Sequence, residues 1–190
     1  MFHYTQIITK GVAEVYQLND EFIDNISQFS RFHDIGKLTL PPSLLTTPCK
    51  LAHIDKEKVT QHIDKGVDII DKLIAQTDYP NHSCLTILRE IVAYHHEYMD
   101  GTGYPFGLQS ADIPISARII TVANIFDALT SHRPYKQAQS VPYALLDLEK
   151  MVQQGKLDRH CVNALRYEQQ HLNQIIRQYP EMDPKDLDRL

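Results

Sequence analysis

A chain of 190 residues with 43% hydrophobic side chains can bury the core of a single domain, and it has no need of disulfide staples. A net charge of -5, from 24 acidic against 19 basic residues, excludes general affinity for a DNA or RNA backbone, so any anionic ligand has to be gripped locally. Cys49, Cys84 and Cys161 are scattered and form no C-x-x-C pair, which excludes a thiolate-rich zinc knot; with no leader-type segment and no membrane span, they read as reduced thiols of a cytoplasmic protein.

In chain order, Asn19 and Asp20 can cap a helix in which Phe22, Ile26 and Phe29 recur at spacings of four and three, leading into His33 and Asp34. Val59, His62, Ile63, Gly66, Val67 and Ile70 form a second stripe, with His62 on its apolar side. Ser83 can cap a third helix carrying Leu88, Ile91, Val92 and His95, and Ser116 opens a fourth with Ile119, Ile120, Ala123, Phe126 and Asp127. Two amphipathic helices follow, Ser140 to Gln154 and Asp158 to Tyr179. The connections "LPPSLLTTPCK", "GTGYPFGLQSADIP" and "HRPYK" are rich in proline and glycine, and runs suited to a sheet are nearly absent. The expectation is an all-α fold: a helical bundle core over residues 1–140, with C-terminal helices over 141–190 packed on it.

Polar side chains on the inward faces of these helices need partners, because an unpaired buried imidazole or carboxylate costs several kcal/mol. A single histidine on an apolar stripe is ordinarily a hydrogen-bonded core residue. His33, Asp34, His62, His95 and His96, spread over successive helices, exceed that explanation and point to metal, which neutral imidazole binds and which a carboxylate can bridge. Apart from His3, the remaining histidines, His53, His82, His132, His160 and His171, read as surface or capping residues.

The segments "HDIGK" (33–37), "QHIDKGVDIID" around His62, "HHEYMDGTGYP" (95–105) and "ARIITVANIFDALTSHRPYK" (117–136) together resemble the HD-GYP phosphodiesterases, a branch of the HD metal-dependent phosphohydrolases. The resemblance runs over residues 1–140 in consistent order and implies an all-helical fold, two divalent metals, and hydrolysis of cyclic di-GMP to linear pGpG or GMP. It implies one metal on His3, His33, Asp34 and position 124, and a second on Asp34 as bridge with His62, His95 and His96. Position 124 is Asn124, where the family usually has aspartate; the neutral amide weakens the first site, and Asp127, one turn on, is a candidate for rescue. The histidine and carboxylate donors suit iron or manganese, and zinc is also compatible.

Paired cations of this kind withdraw charge from a phosphodiester and lower the pKa of a bridging water that attacks phosphorus in line. In that scheme Lys37 offsets transition-state charge beside the catalytic Asp34. Arg133 and Lys136 match positions that contact phosphate or guanine, Asp127 one that accepts from a guanine edge, and Tyr104 can stack on or line the groove. The resemblance also ties the GYP loop to docking of a protein partner. The competing readings are a catalytically weak cyclic-dinucleotide-binding or signalling module, supported by Asn124, and a general phosphohydrolase acting on mononucleotides, which the GYP loop and "RPYK" oppose.

Overall fold

The computed structural model describes residues 1–41, 59–132 and 137–179. Among these, the helical periods resolve into eight α-helices and no strands: α1 (Phe2–Tyr16), α2 (Asp20–Phe29), α3 (His62–Ala75), α4 (Ser83–Tyr94), α5 (Ile115–Thr130), α6 (Val141–Gln153), α7 (Arg159–Tyr167) and α8 (Gln169–Gln178). Short 3-10 turns, Ser30–Phe32 and Ile35–Thr39, flank His33 and Asp34 between α2 and α3.

Local chemistry sets most of the helix ends. Asn19 caps α2 through its side-chain oxygen, which accepts from Phe22 N–H at 2.8 Å. Asp158 caps α7 by accepting from the backbone of His160 and Cys161. Two capping expectations shift by a residue. His82, not Ser83, accepts from Cys84 N–H at the start of α4, while Ser83 donates to Glu21. Helix α5 begins at Ile115 after Pro114, so Ser116 already lies in its first turn, and its buried hydroxyl donates to Glu90.

Two larger differences concern the ends of the chain. The N-terminal segment, given no helix above, forms α1, with Tyr4, Ile8 and Val12 buried at spacings of four. The helix expected over Asp158 to Tyr179 breaks at Glu168, whose φ of -105° and ψ of 26° end α7 and start α8. The break lets Leu165 and Leu172 enter one core from two axes.

That core runs from Tyr4 to Ile175 and draws on α1, α2, α4, α5, α6, α7 and α8, so residues on both sides of position 140 share it. Phe126 is fully buried at its centre, edge-on to Tyr4 at 4.9 Å. Buried Asp158 also joins three helices, accepting from Tyr16 Oη at 2.6 Å and from Arg118 Nη1 at 3.2 Å. A smaller cluster of Ile70, Leu88 and Val92 joins α3 to α4. Together these contacts fix the 3-10 turn pair, α3 and the end of α4 around one point.

Candidate metal centre

Three histidines reach that point by the same local device. His33 follows the first 3-10 turn, and its Nδ1 lies 2.8 Å from the carbonyl of Ser30. His62 opens α3 with Nδ1 2.6 Å from Val59 O, and His95 closes α4 with Nδ1 2.9 Å from Ile91 O. Each carbonyl accepts only if the ring proton is on Nδ1, so these bonds choose the tautomer and leave the Nε2 lone pair facing outward from its own backbone.

All three Nε2 atoms face Asp34. His33 Nε2 is 3.2 Å from Oδ2, while His62 Nε2 and His95 Nε2 are 3.2 and 3.6 Å from Oδ1. His96 completes a group in which one donor atom each from Asp34, His62, His95 and His96 lies within 4.8 Å of all the others. Asp34 Oδ1, His62 Nε2 and His95 Nε2 are buried and have no hydrogen-bond partner, because lone pair faces lone pair. Unpartnered polar atoms at such depth are costly unless a cation lies between them. The donor set and its backbone-locked rings therefore fit a divalent metal.

The electrostatics favour the ligand-competent protonation states. Burial pushes Asp34 up, but the surrounding imidazoles of His33, His62 and His95 outweigh it and hold the carboxyl well below its usual range. Burial lowers His95, and burial with the neighbouring imidazoles of His95 and His62 lowers His96 to about 2. Both therefore stay neutral near pH 7. Lys37, one turn beyond Asp34, donates to Oδ2 at 2.5 Å.

The loop after the histidine pair folds back against them. Tyr104 N–H donates to His96 O at 3.1 Å, and the Tyr104 ring stacks on the His96 imidazole at 4.6 Å between centroids. Gly103 permits this approach: a Cβ there would lie 2.3 Å from Tyr98 N and 2.5 Å from Glu97 Cα. Glu97, 2% exposed, holds the loop by accepting from Phe106 N–H at 2.7 Å and Leu108 N–H at 3.0 Å. The sequence reading gave Glu97 no role. Its signal was a carboxylate directly after His95 and His96, followed by a turn whose amides need acceptors.

Other predicted site residues lie elsewhere or outside the described residues. His3 is outside the cluster, its ring stacked on Tyr179 at 4.7 Å and edge-on to Phe2. It shares a cavity of about 520 Å³ with Asp127, whose carboxylate accepts from the Met1 amino group at 2.8 Å. Asn124 sits on α5, partly buried, one turn before that carboxylate. Arg133 and Lys136 fall outside the described residues.

A family model described as HD domain matches residues 4–161, which includes every residue of the cluster and begins just after His3. The chain belongs to the HD domain family. Among curated proteins it is 38% identical over 169 residues to the cyclic di-GMP phosphodiesterase response regulator RpfG of Xanthomonas campestris, covering 88% of this chain and 42% of that protein. It is 38% identical over 125 residues to the 3'3'-cGAMP-specific phosphodiesterase 2 of Vibrio cholerae, covering 66% of this chain and 23% of that protein. A cyclic di-GMP phosphodiesterase of Thermotoga maritima is 36% identical over 146 residues, 77% of this chain and 37% of that protein. The chain thus spans less than half the length of these relatives, whose names support placing it in the HD-GYP branch of the family. No described helix is long and apolar enough to cross a membrane.

Proposed function

We propose that this domain hydrolyses a 3',3'-linked cyclic dinucleotide, cyclic di-GMP first among them, in a metal-dependent phosphodiesterase reaction giving linear pGpG or GMP. The observation that carries the reading is the convergence of buried, unpartnered Asp34 Oδ1, His62 Nε2 and His95 Nε2 on one point in an HD-family fold. Relatives named for cyclic di-GMP and for 3'3'-cGAMP support the substrate class.

Asp34, His62, His95 and His96 would hold the cation, and iron or manganese suits their nitrogen and oxygen donors. A bound divalent cation supplies charge withdrawal from a phosphodiester and a lowered pKa for water. Lys37 reaches the same carboxylate from the open side, more than a third exposed, and its ammonium binds a phosphoryl oxygen that approaches there. Tyr104 presents a largely apolar wall over His96, and Glu97 keeps that wall in place. Arg133, Lys136 and Asp127 are the proposed contacts for the nucleotide's phosphate and guanine, and the GYP loop is the proposed docking surface for a protein partner.

A second reading, a domain that binds the nucleotide without cleaving it, is favoured by Asn124 and by the placement of His3 away from the cluster. Protein loaded anaerobically with iron or manganese and incubated with cyclic di-GMP, 3'3'-cGAMP and a dNTP separates these readings. Linear dinucleotide or GMP is the expected product. Tight binding of the cyclic dinucleotide with no turnover under any metal would replace the enzyme with the sensor, and cleavage of the dNTP alone would replace the substrate.

A further inference from the structure

We infer that the centre takes one divalent cation per chain, and that the Lys37 ammonium occupies the side of Asp34 where a second would bind. This rests on the proposed metal binding at Asp34 and is independent of the substrate.

The two carboxylate oxygens of Asp34 are in different situations. Oδ1 faces His62 and His95 and is buried without a partner, as are both of their Nε2 atoms. These orphaned atoms, with His96, describe a single coordination point. Oδ2 is already satisfied: it accepts from Lys37 Nζ at 2.5 Å, a short charge-assisted contact. The other donor on that side is His33 Nε2, 3.2 Å from Oδ2. One imidazole and a shared carboxylate oxygen are two donors, fewer than the three or four protein ligands of a tight nitrogen and oxygen site, so that side can take only a weak, largely water-ligated cation, and the ammonium beside it is enough to exclude one.

The residues that the resemblance implies for that side do not make up the shortfall. His3 is stacked against Tyr179 in a separate cavity, and Asn124 brings an amide with no charge. Asp34 is the one carboxylate of the group among the described residues. A second dication beside the ammonium would therefore add two uncompensated charges to a largely buried cluster, whereas one dication with Lys37 keeps a fixed positive charge on each oxygen. Lys37 is held there by geometry, since its backbone N–H also donates to Asp34 O at 2.9 Å within the same 3-10 turn.

The test is a Mn²⁺ titration of the chelator-stripped chain, followed by calorimetry and electron paramagnetic resonance, on the parent and on Lys37→Met. The parent should bind one equivalent and give an uncoupled six-line spectrum. Lys37→Met, which keeps the side chain's length but removes its charge, should keep the first equivalent and accept a second at higher Mn²⁺, with an exchange-coupled spectrum. Two coupled ions in the parent would overturn the inference, as would a Lys37→Met variant that still stops at one. Zero equivalents would remove both this inference and the metal-dependent function. One bound ion with no hydrolysis of any cyclic dinucleotide would refute the enzyme reading and leave the single-cation centre standing.

Discussion

Gly36→Ala probes the joint on which the centre is assembled. Gly36 lies in the 3-10 turn two residues after Asp34, pressed against the start of α3, which carries His62. A Cβ at position 36 would sit 1.8 Å from His62 O and 2.6 Å from Gly66 N, where real contacts stay at or beyond 3.0 Å. Both nearby atoms are backbone, so no side chain can swing aside, and the turn must separate from α3 by about 1.2 Å, the difference between 3.0 and 1.8 Å. That shift is large against the 3.2 Å separation of Asp34 Oδ1 and His62 Nε2, so it pulls the carboxylate out of the ligand group. Overpacking of this kind costs about 1–3 kcal/mol. For a domain of this size it should lower Tm by roughly 2–4 °C per kcal/mol. Thermal melts with and without Mn²⁺ check it: Gly36→Ala should melt several degrees below the parent and lose most of the parent's metal-induced rise. A variant with the parent's Tm and the parent's metal response would refute the claim that this backbone contact sets the Asp34 to His62 geometry.

Asp34→Ala should abolish metal loading and hydrolysis together, read by elemental analysis and product chromatography; retained metal with full turnover would remove Asp34 from the centre. Glu97→Ala, which strips two loop amides of a charged acceptor, should destabilise the fold by about 3 kcal/mol in urea unfolding and loosen the stack of Tyr104 on His96. An unchanged denaturation midpoint would show that the loop holds itself. The metal-free protein should also lose stability in acid. His95 and His96 are kept neutral when folded but accept protons near 6.5 when unfolded, so below that pH the unfolded chain binds more protons. Stability should be fully present above about 6.5 and decline as pH falls, by up to about 1.4 kcal/mol per pH unit for each histidine. A Tm that stays flat between about pH 7.5 and 5 in chelator would contradict this sign.

The sequence carried the helices of the core and most of the metal ligands for a shared physical reason. Spacings of three and four mark the buried faces of α2, α3, α4 and α5, and three of these helices have a ligand at one end: His33 just beyond α2, His62 at the start of α3 and His95 at the close of α4. What it did not carry depended on distant packing. Helix α1 buries Thr5 and Thr9 beside Tyr4, Ile8 and Val12, a stripe of mixed polarity that gains meaning only once α2, α5 and α7 pack on it. The break at Glu168 has no glycine or proline to mark it; the need to bury both Leu165 and Leu172 decides it.

The ligands divide along the same line. His33, His62 and His95 each anchor Nδ1 on a carbonyl three or four residues back, at Ser30, Val59 and Ile91. The aim of each ring is therefore fixed by its own turn of backbone, before any partner helix arrives. A position at a helix end on an apolar stripe is enough to predict it. The His3 ring takes its direction from Phe2 beside it and from Tyr179 at the far end of the described chain, a contact that local sequence cannot announce. Legibility of a metal ligand thus follows from what orients it: backbone within one turn is readable in advance, and side-chain packing across the fold is not.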